Sequence, residues 1–215
     1  GLWEPERRNK MRAGGIPPMT SGLFMPGIRT AVIAAALMWG AAAAAQTIEG
    51  AKPADPQPTE DQLQPGLAVS YVEGFFNDLA EMMGREGTPG EPIANLDATP
   101  GRNEPVLTSG KEMGVGAYIR GFIRLDEPGT WTFRVHSNDG VQVAIGSEVV
   151  HVDPYKHSDT MSPPILFPVD EPGWYPIEVD YFQRKGTATL QLLWTRPSGS
   201  AEEVVPSEAF AHLAE

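Results

Sequence analysis

The sequence predicts an all-β fold, a mainly antiparallel β-sandwich or barrel over residues 66–215, behind a signal peptide and a Pro-rich linker. Three observations predict it. Apolar and polar residues alternate with period two in one stretch after another between residues 117 and 195. Clusters of Gly, Pro, Asn, Asp and Ser separate those stretches at short intervals. No long helical pattern falls between consecutive strands, which argues against a parallel sheet wound by helices.

The organising stretch is Gly129 to Asp153. Trp131, Phe133 and Val135 alternate with Thr132, Arg134 and His136, and Val141, Val143 and Ile145 alternate with Gln142 and Ala144. Side chains two apart share a face, so all six apolar residues can enter one core. Ser137-Asn138-Asp139-Gly140 lies between the two runs, and Asn and Asp-Gly are favoured turn residues. The expectation is a hairpin whose turn stands at the rim.

The remaining elements follow in chain order. Met25-Pro-Gly-Ile-Arg-Thr reads as a short basic start before the apolar run Ala31 to Ala45, which ends in small residues suited to signal cleavage. That run is short of the roughly 20 residues a helix needs to span a bilayer, so no stable transmembrane span is expected after cleavage. Residues 1–45 are thus expected to be a signal peptide with an upstream extension. Residues 46–65 are rich in proline and poor in large apolar side chains, which predicts an extended, mobile linker. Gly66 to Tyr71 reads as the first strand, Phe75 to Met83 as a short helix, and residues 84–110 as a long loop. Strands are expected near 117–125, 149–153, 165–167, 174–182 and 188–195.

Charge and composition narrow the function. The formal net charge is −12; five of 16 basic and two of 28 acidic residues lie before Gln46, leaving 11 against 26, a net of −15. Nucleic acid is not an expected partner, because phosphate binding relies on clustered Lys and Arg. With no cysteine, a thiolate zinc site, a thiol nucleophile and a cysteine-borne lipid anchor are all ruled out.

Five segments carry a family resemblance: Gly66-Leu67 with Tyr71, Gly129 to Phe133, Ser137 to Gly140, Gly173 to Tyr181, and Ala188 to Trp194. Their order and register over about residues 66–210 resemble the protective-antigen fourteen-kilodalton (PA-14) domain family, a β-sandwich module of toxins, yeast adhesins and glycoside-acting enzymes. In its sugar-binding members two adjacent aspartates in the central turn hold calcium, an asparagine from a later loop completes the side-chain ligands, and sugar hydroxyls coordinate the metal. The resemblance places Asn138 and Asp139 at the aspartate positions, and Gln183 at or beside the asparagine. As implied metal ligands, Asp139, Asn138 and Gln183 depart from the pattern. Asn138 brings no charge, and calcium affinity depends on carboxylate number. Arg184 and Lys185 would repel a divalent ion. The peptide between the paired aspartates is cis in those adhesins, and a weakened metal site weakens the case for cis geometry here.

Other clusters read as structure. His151, Asp153 and His157 supply three ligands of a type that suits zinc, but Pro154 ends the strand after Asp153. Glu178 and Asp180 share the outer face of a strand opposite Ile177, Val179 and Tyr181, which is the pattern of solvated carboxylates rather than a glycosidase pair. No nucleophile elbow, phosphate loop or dinucleotide fingerprint appears in the sequence. Trp131 and Trp194 fall on apolar phases and belong in the core, whereas Tyr155 and Lys156 lie in a loop that can meet a ligand. The expected function is an exported, noncatalytic glycan-binding module using Asn138, Asp139, Tyr155 and Gln183, with calcium as a doubtful cofactor. The competing expectation is a structural or protein-interaction module of the cell envelope.

Overall fold

Period-two alternation is realised as two facing, mostly antiparallel sheets in a computed structural model that describes residues 45–214. The signal-peptide reading falls almost entirely outside the described residues. In chain order the strands are β1 (Gln46–Thr47), β2 (Leu63–Pro65), β3 (Leu67–Glu73), β4 (Thr88–Ile93), β5 (Asp97–Ala98), β6 (Val115–Leu125), β7 (Gly129–Asn138) and β8 (Val141–Ile145). They continue with β9 (Glu148–Asp153), β10 (Thr160–Met161), β11 (Ile165–Val169), β12 (Gly173–Gln183), β13 (Thr189–Thr195), β14 (Glu203–Val204) and β15 (Phe210–Leu213). One sheet runs β1-β11-β7-β13-β14, with β10 beside β7 and β5 beside β13; the other runs β2-β15-β6-β12-β8-β9, with β3 joining β6 to β4. Among the described residues, no helix is long and apolar enough to cross a membrane.

The core lies where the inward phases meet. Trp131, Phe133 and Val135 of β7 face Val141, Val143 and Ile145 of β8 within one buried cluster. Trp131 and Trp194 pack with ring centroids 4.8 Å apart, and the Arg196 guanidinium lies 5.0 and 5.8 Å from the two ring centres. Each indole N–H has an acceptor, Glu127 O for Trp131 at 3.1 Å and Glu203 Oε1 for Trp194 at 3.0 Å. Burying the rings therefore leaves no orphaned donor.

Four expectations are corrected. First, β7 and β8 do not form a hairpin: β7 pairs with β11 and β13, while β8 pairs with β12 and β9 in the other sheet. Alternation fixes which face is buried but not which strand is the neighbour, so 138–140 is a corner between sheets. Second, residues 46–65 pack against the sandwich. Ile48 is buried and donates its N–H to Leu166 O at 2.8 Å, β1 pairs in parallel with β11, and the Gln57 side chain bonds both Trp174 N and Trp174 O at 2.7 and 2.9 Å. An open strand edge offers backbone partners that apolar content does not reveal. Third, the helix over 75–83 reduces to a 3-10 turn at Leu79–Glu81 capped by Asp78, with Phe76, Leu79 and Met82 buried against Phe182. Fourth, the supposed loop 84–110 contains β4, paired with β3, and β5, paired with β13.

On β9, burial lowers the His151 pKa below 6.5; Asp153 opposes the shift and His157 adds to it. The unfolded chain then holds the proton more tightly than the folded one. This contribution to stability is complete above pH 6.5 and is lost as pH falls through the lower folded value. Melting curves across that interval should show a shallower acid-side decline for His151→Gln than for the parent chain.

Candidate functional site

The corner between the sheets sets the site. β7 ends at Asn138, β8 begins at Val141, and the Asn138–Asp139 peptide that turns the chain is cis, contrary to the expectation from the missing second aspartate. Gly140 has no room for a side chain, since a Cβ would stand 2.4 Å from Phe182 Cε1 and 2.7 Å from Pro154 O. Close approach lets Phe182 N donate to Gly140 O at 3.0 Å and Asp139 N donate to Phe182 O at 3.3 Å. The corner is thereby stitched to the end of β12.

The Asp139 carboxylate then ties three segments together. Its Oδ1 accepts the N–H of His157 at 3.1 Å, and its Oδ2 accepts the N–H of Arg184 at 2.8 Å. Burial pushes the Asp139 carboxyl above its ordinary value, against the downward pull of those two amides and of the nearby His157 and Arg184 charges. Beneath it, the Tyr181 hydroxyl donates to Asn138 O at 2.6 Å, and burial with the adjacent Asp139 charge holds the phenol well above its normal range.

The 154–159 loop reaches the corner from β9. Leu79 N donates to Pro154 O and Lys156 N donates to Asn77 O, both at 2.9 Å, so the loop is braced by the segment after β3. Asp159 accepts the Thr189 hydroxyl at 2.6 Å. Asp139, Lys156, His157, Arg184 and Lys185 line an open depression of about 280 Å³. Tyr155, which precedes Lys156 in the chain, is 61% exposed.

Gln183 requires a correction. Its side chain is fully buried, with Nε2 donating to Thr187 O at 2.8 Å and Oε1 3.4 Å from the Tyr181 hydroxyl. It continues the inward phase of Val179 and Tyr181, a signal already present in the alternation of β12. Gln183 therefore shapes the loop from within, and Arg184 is the residue that lines the depression. Asn138 is also buried, its backbone carbonyl engaged by Tyr181.

This donor set does not fit calcium. A single carboxylate is present, each of its oxygens already accepts an amide N–H, and Lys156, Arg184 and Lys185 share the depression. Among the described residues, no group of three His, Asp or Glu side chains is placed to hold a metal. Asp153 Oδ2 lies 3.4 Å from His157 Nε2, within ion-pair range, although that nitrogen makes no hydrogen bond among the described residues. The other carboxylate pair is also occupied, with Arg120 3.5 Å from Glu178 and 2.6 Å from Asp180.

Two mostly antiparallel sheets joined by a corner that carries one buried aspartate define a β-sandwich module. The chain belongs to the PA14 domain family, whose model matches residues 63–208. Its fold is similar to the PA14 domain of the MpAFP antifreeze protein, with a TM-score of 0.59 and 19% identity over 74% of this chain and 96% of that one. It is also similar to a PA14 sugar-binding domain from an RTX adhesin, with a TM-score of 0.53 and 18% identity over 69% and 98%. A third similar structure is the epithelial adhesin 9 A domain of Candida glabrata in complex with Galb1-4GlcNAc, with a TM-score of 0.55 and 11% identity over 73% and 93%. At these identities the likeness is one of fold. No curated protein matches the chain.

Proposed function

We propose that this chain is an exported, noncatalytic glycan-binding module that works without a bound metal. The observation that carries the reading is the meeting of two loops with the corner at Asp139, which builds an open depression lined by Lys156 and Arg184. Similar folds include an adhesin domain in complex with a saccharide, which supports assigning a ligand of that class. Export rests on the apolar run Ala31 to Ala45 with its small-residue end. In this reading the leader is removed and the segment from Gln46 onward stays with the sandwich.

Asp139 acts as an organiser. It holds the 154–159 and 183–187 loops in place for Tyr155, Lys156 and Arg184 to meet the sugar, and no bond of the ligand is broken. A second reading is a structural or protein-interaction module of the envelope; it is favoured by asparagine in place of a carboxylate at 138, which removes the metal-centred sugar contact. A glycan array probed with the full chain, once with calcium and once with chelator, separates them. Saccharide binding that survives chelation is expected, and absence of binding under both conditions overturns the glycan reading.

A further inference from the structure

The same depression carries a local charge opposite to that of the chain. Against a formal net charge of −12, Lys156, Arg184 and Lys185 converge on one opening. Asp139 is the one carboxylate in that lining, so the cations outnumber it three to one, while Asp159 accepts the Thr189 hydroxyl, Asp153 lies near His157 and Asp78 accepts the Ala80 amide. Among the described residues, no ion pair involves Lys156, Arg184 or Lys185. Arg184 Nε is buried and has no hydrogen-bond acceptor among the described residues.

One exposed aromatic ring lies against these cations, and a second is the chain neighbour of one of them. Phe75 is 53% exposed with Lys185 Nζ 5.6 Å from its ring centre, and Tyr155, at 61%, precedes Lys156 in the chain. Gly114 leaves space for the Phe75 ring, since a Cβ there would lie 3.1 Å from Phe75 Cζ. Flat apolar faces suit the C–H face of a pyranose ring, and a guanidinium suits a planar or tetrahedral oxyanion.

From this juxtaposition we infer that the depression binds an acidic saccharide, one whose carboxylate or sulfate is received by Arg184 and Lys156 while its ring rests against Phe75 or Tyr155. The inference rests on the glycan-binding reading and specifies its ligand class. Protein cations take the place of a metal in holding the sugar, and the strongly acidic remainder of the domain disfavours a long polyphosphate chain.

Calorimetric titration of the full chain in chelator tests it, with four probes: an oligogalacturonate, a sulfated heparin-derived oligosaccharide, neutral lactose and inorganic sulfate. Binding of at least one of the two acidic oligosaccharides is expected, with little heat from lactose or sulfate; which acidic probe binds distinguishes carboxylate from sulfate recognition. Arg184→Gln should weaken that binding about tenfold or more, consistent with loss of a charge-assisted contact. Lys156→Gln and Phe75→Ala should each weaken it by a smaller factor, with melting temperatures checked for all three. Lactose binding that is indifferent to Arg184→Gln overturns the charge inference and leaves the glycan reading standing. Inorganic sulfate binding as tightly as the sulfated oligosaccharide overturns saccharide recognition at this patch. Failure of all four probes overturns the inference, while the glycan array decides separately whether the broader reading survives.

Discussion

Asp139→Ala is expected to lower the free energy of unfolding by about 2–4 kcal/mol, since each part-buried amide left without its acceptor costs about 1–3 kcal/mol and water can reach part of this site. The two amides belong to His157 and Arg184, in different loops. Their release should loosen both loops together while the β6–β12 ladder, which pairs Val115 with Gln183 through Leu125 with Gly173, stays intact. Chemical denaturation measures the global loss, and amide hydrogen exchange should quicken at His157 and Arg184 before it quickens in the ladder. Asp139→Asn retains one acceptor oxygen and should lose about half as much. If Asp139→Ala melts like the parent and both amides keep their protection, the carboxylate is not the organiser proposed here.

Trp131→Ala should cost about 3–5 kcal/mol, the range for removing a large aromatic from a packed core. Trp131 is fully buried, packed at a tilt against Trp194 and capped by Arg196. Its loss leaves a cavity between the sheets and strips Arg196 of one of its two aromatic partners. For a domain of this size each kcal/mol moves the melting temperature by about 2–4 °C, so a drop of about 6–20 °C is expected by calorimetry. Arg196 also pairs with Asp126 at 2.6 Å, which keeps the loop before β7 anchored after the substitution. A cost below about 1 kcal/mol would mean the sheets repack freely at this point, contrary to a dense two-layer core.

The β7 and β8 patterns made the core legible in the sequence: all six alternating apolar residues are buried. Their partners were not legible, because period two specifies a face and not a neighbour, and the Asn-Asp-Gly segment suits a corner as well as a hairpin. The meeting of Asp139 with the end of β12 was readable only through the family resemblance. The inward aim of Gln183 was available from its phase with Tyr181, whereas the burial of Phe182 on the opposite phase, against Phe76, Leu79 and Met82, was not. Phe75 was hidden by a helical spacing that the chain does not use. The ordering of residues 46–65 had no sequence signal, since much of it comes from backbone pairing at the β11 edge and from Gln57 bracketing Trp174.

The central claim is that one buried aspartate assembles a metal-free, cation-lined sugar site at the corner between β7 and β8. Backbone amide shifts followed by NMR, as an acidic oligosaccharide is added to the full chain in chelator, test it most directly. The account predicts saturable shifts concentrated at residues 75–78, 139–140, 155–158 and 184–186, with saturation moved to about tenfold or more higher ligand concentration by Arg184→Gln. Shifts centred elsewhere on the sandwich, or shifts that need calcium to appear, would contradict it.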